Sequence, residues 1–247
     1  SHLFRMLFLQ GFVQMIEDPP LLKVKKTRRR PTAAQISAFQ NVPTGQIVDA
    51  RGGRGALNMV ISQQTTLPAS GSSIAGPALT AENASADVLA SFAAIHYAEA
   101  GDILVAGFSG NQSCAGAGDR LCGMLVNVGA VGMIMDCPVR DIHGINKIGL
   151  PVWATGITPA TPFMTGPGRV GFALEFAGQQ ICHGDMVIAD ADGVVIVPFD
   201  EIDSVIAALE KVRGLEEALD ARVADGLVTH DKIAAMIENG ALLLTDD

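Results

Sequence analysis

Arg140 and Asp141 are adjacent residues whose side chains together suit the binding of an α-keto acid. An arginine guanidinium binds a planar carboxylate through two parallel hydrogen bonds, and an aspartate oxygen is a hard ligand for Mg²⁺ or Mn²⁺. A predicted helix begins at Gly118, and the backbone N–H groups of a helix N-terminus bind anionic oxygens. The same arginine and aspartate also suit a salt bridge within a loop. The residue types alone leave both interpretations open.

The elements around these residues predict that they lie close together. Residues 102–108, 131–136 and 150–156 are short apolar runs typical of buried strands. Apolar residues recur at helical spacing after Gly118, with Asp119 in the first turn, where a negative charge favours the helix dipole. A right-handed crossover makes such strands parallel neighbours. The helix start and the arginine loop then both follow the carboxyl ends of neighbouring strands, where open α/β sheets bind ligands.

Other reaction types have little support in the sequence. Residues 166–171 read GPGRVG and match the letters of a dinucleotide-binding fingerprint, but a strand-like segment follows them instead of a helix. The glycine cluster at 52–55 lacks the lysine of a phosphate-binding loop. No GxSxG motif is present, and Lys147 is the one candidate for Schiff-base chemistry. The sequence therefore indicates neither a nucleotide site nor an S-adenosylmethionine site.

The chain from residue 32 to residue 247 predicts a single α/β domain with a central mixed sheet flanked by helices. A strand is predicted over residues 72–80, and antiparallel strands follow in the last third, around a turn at Asp192-Gly193. The predicted helices cover residues 32–40, 85–99, 200–219 and 231–238.

Residues 1–31 differ from this domain in charge. They carry seven Lys or Arg against two acidic residues, whereas the rest of the chain carries ten against twenty-four. We interpret them as an apolar and basic leader, either an upstream extension or an arm that packs on a neighbouring subunit. The apolar segment from Leu3 to Ile16 is too short to span a bilayer and lacks a cleavage site, so we expect no membrane partner. The acidic body argues against nucleic-acid binding.

The four cysteines favour a reducing compartment. They show no CxxC spacing and lie in apolar or loop segments, which fits free thiols better than disulfides or a zinc site. We therefore expect a cytoplasmic protein.

Four motifs in a fixed order resemble the RraA-like family, which includes the class II 4-hydroxy-4-methyl-2-oxoglutarate aldolases. They are GDRL at 118–121, VGMIMDCPVRD at 131–141, GLPVWATGITP at 149–159 and GDMVIADADGVVIVP at 184–198. The resemblance covers roughly residues 32–240. It implies a swivelling β/β/α domain that assembles as a homotrimer or as a homohexamer made of two trimers, with active sites at the subunit interfaces.

The resemblance also implies roles for individual residues. Arg140 would bind the pyruvyl carboxylate, and Asp141 would hold Mg²⁺ or Mn²⁺ through the water shell of the metal. The helix start at Gly118 would contact the pyruvyl oxygens through the amides of Arg120 and Leu121, and Asp119 matches the acidic residue of the motif. The implied reaction is cleavage of an α-keto acid to pyruvate through a stabilised enolate, and the same electron sink supports decarboxylation of oxaloacetate. A further acidic residue can come from a neighbouring subunit, but no motif assigns it.

Two departures from the family pattern and two alternatives accompany this prediction. Cys137-Pro138 replaces a glycine and a small residue near the site, which leaves open a lyase for a different keto acid. His183 replaces a proline in a turn, where we expect no chemical role. Some relatives that lack the catalytic aspartate are inhibitors of RNase E. Retention of Asp141 favours an enzyme over such a non-catalytic regulator.

Overall fold

A computed structural model of the protein describes residues 20–67 and 73–245. The segment from Leu3 to Ile16, considered above as a targeting signal, lies outside these residues. No helix within them is long and apolar enough to cross a lipid bilayer.

The middle of the fold is a set of parallel strands, as the sequence predicts. Its members are β3 (Ser73–Asn83), β4 (Ile103–Gly107), β5 (Gly132–Met135) and β6 (Val152–Ala154). Three short strands complete this sheet: β1 (Leu22–Val24) pairs with β7 (Gly168–Val170), β7 runs antiparallel to β3, and β2 (Ser62–Gln63) pairs with β6. Both faces of β4 and β5 are buried, which explains their continuous apolar sequence.

Three helices cover one face of this sheet: α3 (Leu89–His96), α4 (Asp119–Asn127) and α5 (Ile142–Ile148). The helix predicted over 85–99 is shorter than expected, because Ala86 takes a left-handed conformation with φ 57° and the chain turns before Leu89. The opposite face packs against the hairpin of β8 (Leu174–Phe176) and β9 (Gln179–Ile181). The strand-like sequence in this region forms two separate strands, β7 and β8.

The first half of β3 forms a second antiparallel layer with β10 (Met186–Asp190) and β11 (Val194–Val197). The predicted turn between β10 and β11 is confirmed, and it closes with a hydrogen bond from Asp190 N to Gly193 O of 3.0 Å. The helices of this layer are α1 (Ala33–Ala38), α2 (Thr44–Ala50) and α6 (Ile202–Ala224), and a last helix, α7 (Asp231–Glu238), follows them. The central mixed sheet with flanking helices confirms the predicted fold class.

The described part of the leader, residues 20–31, packs against the domain. It contributes β1, and Arg30 forms an ion pair with Asp102. The neighbouring Arg29 forms a second pair with Asp200, where Nη1 and Oδ1 are 2.9 Å apart. The division of the chain at residue 31 into a leader and a domain stays a prediction.

Candidate active site

A cavity of about 490 Å³ contains every residue that the sequence nominated for the site. Gly118, Asp119, Arg120 and Leu121 come from the start of α4, and Arg140 and Asp141 come from the loop between β5 and α5. These two segments follow neighbouring parallel strands, β4 and β5. The structure thus brings the nominated residues to one place. Their chemical roles stay a prediction.

Backbone hydrogen bonds join the two segments directly. Gly116 N donates to Pro138 O at 2.8 Å, and Arg140 N donates to Ala117 O at 3.0 Å. Backbone pairing between β4 and β5 therefore continues into the loops that follow these two strands. This pairing fixes the position of Arg140 and Asp141 relative to the N-terminus of α4.

Gly118 is required by close approach. A Cβ atom at this position would lie 2.5 Å from Asp141 Oδ2 and 3.3 Å from Arg140 Cγ. Its φ of −144° is open to any residue, so conformational freedom does not explain the glycine. The absence of a side chain lets the Asp141 carboxylate lie against the start of α4.

Within the described residues, the N-terminus of α4 has backbone donors at this place that find no partner inside the helix. The first three or four N–H groups of a helix have no partner inside the helix. Gly118, the N-cap residue, offers no side-chain hydrogen bond, and the first bond of the helix runs from Cys122 N to Gly118 O at 3.1 Å. The amides of Arg120 and Leu121 precede that bond and lie in residues that line the cavity. They suit an oxygen that carries or develops negative charge.

Arg140 is held by two neighbours and stays about one-third exposed, with 34% of its side chain accessible. Its Nη1 donates to Thr161 Oγ1 at 3.1 Å, and its Nε lies 3.3 Å from Asp141 Oδ2. The salt bridge between Arg140 and Asp141, one of the two interpretations that the sequence allows, is present. It uses only part of the guanidinium, which has five N–H donors, so a carboxylate ligand can bind at the same time.

Asp141 combines an uncommon backbone conformation with a carboxylate that does not cap its helix. Its φ of 59° and ψ of 37° are left-handed, a region in which aspartate is one of the few tolerated side chains. It is the N-cap residue of α5 but makes no side-chain hydrogen bond to that helix. The carboxylate is directed instead at Gly118 and Arg140.

Asp119 adds a second carboxylate to this region. It packs against α5 so closely that a Cβ atom on Gly144 would lie 2.8 Å from its Oδ2. Burial, followed by the negative charges of Asp119 and Asp141, raises the pKa of the Cys122 thiol to about 12. Cys122 is therefore a protonated core residue behind the site and does not act as a nucleophile at neutral pH.

The available donors fit Mg²⁺ or Mn²⁺ better than zinc. Residues 20–67 and 73–245 contain no group of three His, Cys, Asp or Glu side chains placed to hold a metal ion. Structural zinc sites need such a group, whereas Mg²⁺ retains several waters and binds through one or two carboxylates together with oxygens of its substrate. Asp141, with Asp119 close by, supplies that kind of donor set.

Apolar side chains that the sequence did not nominate form the walls of the cavity. Val88 and Phe92 line it from the α3 side, and Pro159 and Pro162 line it from the loop between β6 and β7. Thr161 of the same loop holds Arg140. A signal for this loop was available, because it follows β6 and therefore leaves the sheet at the same edge as the other site segments.

Three other residues that the sequence singles out lie outside the cavity lining: Cys137, Lys147 and His183. Cys137 is buried, and its Sγ contacts Gly116 in the loop after β4. This departure from the family pattern therefore affects the cavity only through that loop. Lys147 is exposed in the last turn of α5. His183 is partly buried near the basic leader segment, and burial, followed by the charges of Arg28, Arg30 and Lys25, lowers its pKa to about 4.

All residues that line the cavity fall within a region that matches a known family. The Aldolase/RraA model of RraA-like proteins matches residues 44–196, more than half of the chain. The chain belongs to the RraA-like family. The resemblance inferred from four sequence motifs is thereby confirmed.

Named relatives of this RraA-like chain include proteins described as aldolases. A protein of Halalkalibacterium halodurans named "Putative 4-hydroxy-4-methyl-2-oxoglutarate aldolase" is 31% identical over 78% of this chain and 90% of its own length. A protein of the same name from Aromatoleum aromaticum is 34% identical over 39% of this chain and 60% of its own length. Among solved structures, RraAS2 of Streptomyces coelicolor, a member of the RNase ES inhibitor RraA family, superimposes with a TM-score of 0.68. That pair is 23% identical and covers 78% of this chain and 99% of the other, which shows a shared fold.

Proposed function

We propose that this RraA-like protein is a lyase that cleaves an α-keto acid to pyruvate with the help of Mg²⁺ or Mn²⁺. The substrate class we propose is 4-hydroxy-4-methyl-2-oxoglutarate or a related keto acid. The observation that carries the proposal is the juxtaposition of Arg140, the Asp141 carboxylate and the N-terminus of α4 at one end of a single cavity.

The polar end of the cavity suits the pyruvyl part of such a substrate. Arg140 binds the carboxylate with the N–H groups that Thr161 and Asp141 leave free. The amides of Arg120 and Leu121 donate to the keto oxygen, where negative charge collects when the C3–C4 bond breaks and an enolate forms. Fixed donors directed at developing charge stabilise it more than the ground state, which accelerates the reaction.

The two carboxylates have separate tasks in this proposal. Asp141 holds the divalent cation, and Asp119, which also lines the cavity, orients a water or holds a proton. The cation, when bound, supplies Lewis acidity that polarises the keto group. The apolar walls contact the part of the substrate beyond the pyruvyl group. Loss of carbon dioxide from oxaloacetate would use the same stabilised enolate, so we propose it as a second activity.

A coupled pyruvate assay on 4-hydroxy-4-methyl-2-oxoglutarate and on oxaloacetate tests this function. We expect pyruvate release in Mg²⁺ or Mn²⁺, its loss in EDTA, and its return when the metal is restored. Turnover that survives chelation, or trapping of the substrate on a lysine by borohydride, would contradict the proposal. Absence of turnover across keto acids, together with capture of an RNase, would instead indicate the non-catalytic regulator.

We also propose that the protein works as a homo-oligomer, either a trimer or a dimer of trimers. Large apolar side chains in the loop between β6 and β7 support this, since Ile157, Phe163 and Met164 are 62%, 69% and 55% exposed. Light scattering after size-exclusion chromatography measures the mass directly. A monomer at micromolar concentration would contradict the assembly and would leave the lyase proposal to its own assay.

A further inference from the structure

Asp87 is a buried carboxylate beside the cavity that the proposed reaction does not use. Only 3% of the residue is exposed. Its Oδ1 accepts a hydrogen bond from Leu89 N at 2.8 Å, and its Oδ2 accepts one from Gly166 N at 2.9 Å. The same Oδ2 accepts from both the backbone N and the hydroxyl of Thr165. One side chain therefore binds two segments that are nearly eighty residues apart in the chain.

These two segments carry the two apolar walls of the cavity. Leu89 begins α3, and Val88 and Phe92 line the cavity from that side. Thr165 and Gly166 end the loop whose prolines line the adjoining side. Backbone bonds reinforce the junction, since Phe163 N donates to Ala86 O at 2.8 Å and Val88 N donates to Phe163 O at 3.0 Å. The two walls are therefore joined at the Asp87 carboxylate.

The loop depends on polar contacts for its position because its large apolar side chains face outward. Phe163 and Met164 are mostly exposed, so they contribute little burial that could hold the loop in place. At its centre the loop carries Thr161, which accepts the hydrogen bond from Arg140. A displaced loop would therefore change both the apolar wall and the orientation of the guanidinium.

The carboxylate form of Asp87 matches its four donors. Burial acts to raise the pKa of Asp87, but the hydrogen bonds from Leu89, Thr165 and Gly166 outweigh it, and the pKa lies below its ordinary value. The side chain is thus an acceptor on both oxygens at neutral pH. An asparagine of the same shape would present one N–H₂ group to backbone donors.

We infer that Asp87 is a positioning residue that holds the two walls of the cavity together and, through the loop and Thr161, sets the orientation of Arg140. The inference rests on the proposed function for its kinetic consequence. Arg140 and the walls contact the bound substrate before and during the reaction, so their misplacement weakens substrate binding uniformly. Such a change raises KM with a smaller change in kcat.

The variants Asp87→Asn and Asp87→Ala test the inference, and Asp185→Asn is the matched control. Asp185 is also 3% exposed and also accepts backbone hydrogen bonds, from Cys182 N at 2.8 Å and Phe199 N at 2.9 Å, but the segments that it joins contribute no residue to the cavity lining. We expect both Asp87 variants to raise KM by roughly tenfold or more while kcat changes by less than about threefold. Asp185→Asn should leave KM unchanged. Unchanged KM in folded Asp87→Asn, or an equal increase in Asp185→Asn, would overturn the inference.

Hydrogen exchange separates this inference from the lyase proposal, because it requires no substrate. Backbone amides of residues 157–166 should exchange faster in Asp87→Asn than in the wild type or in Asp185→Asn. If the wild type releases no pyruvate, the lyase proposal fails, and faster exchange still supports Asp87 as the residue that positions the loop. Equal exchange in all three proteins would overturn the positioning role, whether or not the wild type is active.

Discussion

The contact between Gly118 and the Asp141 carboxylate makes one added methyl group a sensitive probe of the site. Gly118→Ala would place Cβ 2.5 Å from Asp141 Oδ2, so the carboxylate must move. A displacement of about 1 Å in a catalytic group costs roughly 100-fold in rate, and we expect kcat/KM to fall by about that factor. Steady-state kinetics on the best keto-acid substrate measures the loss.

Gly123→Ala is the matched control on the same helix. Its added methyl group would meet Ile148 Cδ1 at 3.7 Å, which is ordinary van der Waals contact. Alanine in the interior of α4 stabilises the helix by about 0.5–1 kcal/mol, so this variant should keep full activity. Equal kinetics for the two variants would mean that the Gly118 contact has no role in catalysis.

Asp141→Asn removes the charge of the proposed metal ligand and keeps its shape. Asparagine tolerates the left-handed backbone that this position requires, so the fold should persist. Its ion pair with Arg140 is half-exposed and contributes at most about 1 kcal/mol to stability. We expect kcat to fall by roughly 100-fold or more, since Lewis-acid assistance is worth several kcal/mol.

Two measurements accompany this variant. Circular dichroism and the thermal midpoint should stay close to those of the wild type, and isothermal titration with Mn²⁺ should show weakened binding. Turnover near the wild-type rate, or unchanged Mn²⁺ affinity, would mean that the cation site lies elsewhere.

At the scale of elements, the long helix α6 has a buried half and an exposed half. Leu209 is 2% exposed and packs in the core between β10, β11 and the helices, whereas Leu215 on the same helix is 63% exposed. Truncation of a buried leucine to alanine costs about 2–5 kcal/mol, and truncation at an exposed position costs less than about 1 kcal/mol.

We therefore expect Leu209→Ala to lower the free energy of unfolding severalfold more than Leu215→Ala. Urea titration followed by far-ultraviolet circular dichroism measures both values. Because β10 and β11 lie away from the cavity, kcat/KM of folded Leu209→Ala should stay near the wild-type value. A large destabilisation by Leu215→Ala would contradict this expectation. It would show that the second half of α6 is buried in solution against another subunit.

Sequence patterns predicted these elements with uneven success. Continuous apolar runs identified β4, β5 and β6, because strands buried on both faces need no polar alternation. The predicted start of α3 at residue 85 is wrong by four residues, and the helix begins at Leu89. The left-handed backbone of Ala86 and the hydrogen bond from Leu89 N to Asp87 form a turn before the helix. The strand-like sequence after residue 167 does not show where β7 ends and β8 begins, because that division depends on their different pairing partners.

At the scale of the whole molecule, His183 links stability to pH. Its pKa is about 4 in the folded protein, against an ordinary value of 6.5, because of burial and then the nearby positive charges. Between these two pH values the unfolded chain binds a proton that the folded protein does not. Stability should therefore fall as the pH decreases from 6.5 to 4, by an amount on the order of 3 kcal/mol if the full shift is realised.

His183→Asn should remove this part of the pH dependence. Buried carboxylates whose pKa is raised, including Asp102, Asp136 and Asp185, act with the opposite sign, so the informative quantity is the difference between variant and wild type. Urea titrations at pH 7.5 and pH 4.5 give that difference, with His96→Asn as a control at an exposed histidine. An identical pH slope in wild type and His183→Asn would contradict the role of His183.

The sequence by itself determined the central parallel strands, the helix that begins at Gly118 and the polar end of the cavity. All three follow from local information: apolar runs and helical spacing define elements, and a right-handed crossover brings the ends of consecutive parallel strands together. Gly118, Asp119, Arg140 and Asp141 are close to such ends, so their meeting was predictable.

Only the tertiary structure decided which segments surround the polar end of the cavity. The apolar walls from α3 and from the loop after β6, the hydrogen bond from Arg140 to Thr161, and the Asp87 junction depend on packing between distant segments. Asp87 and Thr165 are separated by 78 residues, and no local periodicity reports such a contact. Periodicity tells which side of an element is buried, whereas long-range packing decides which other segment covers it.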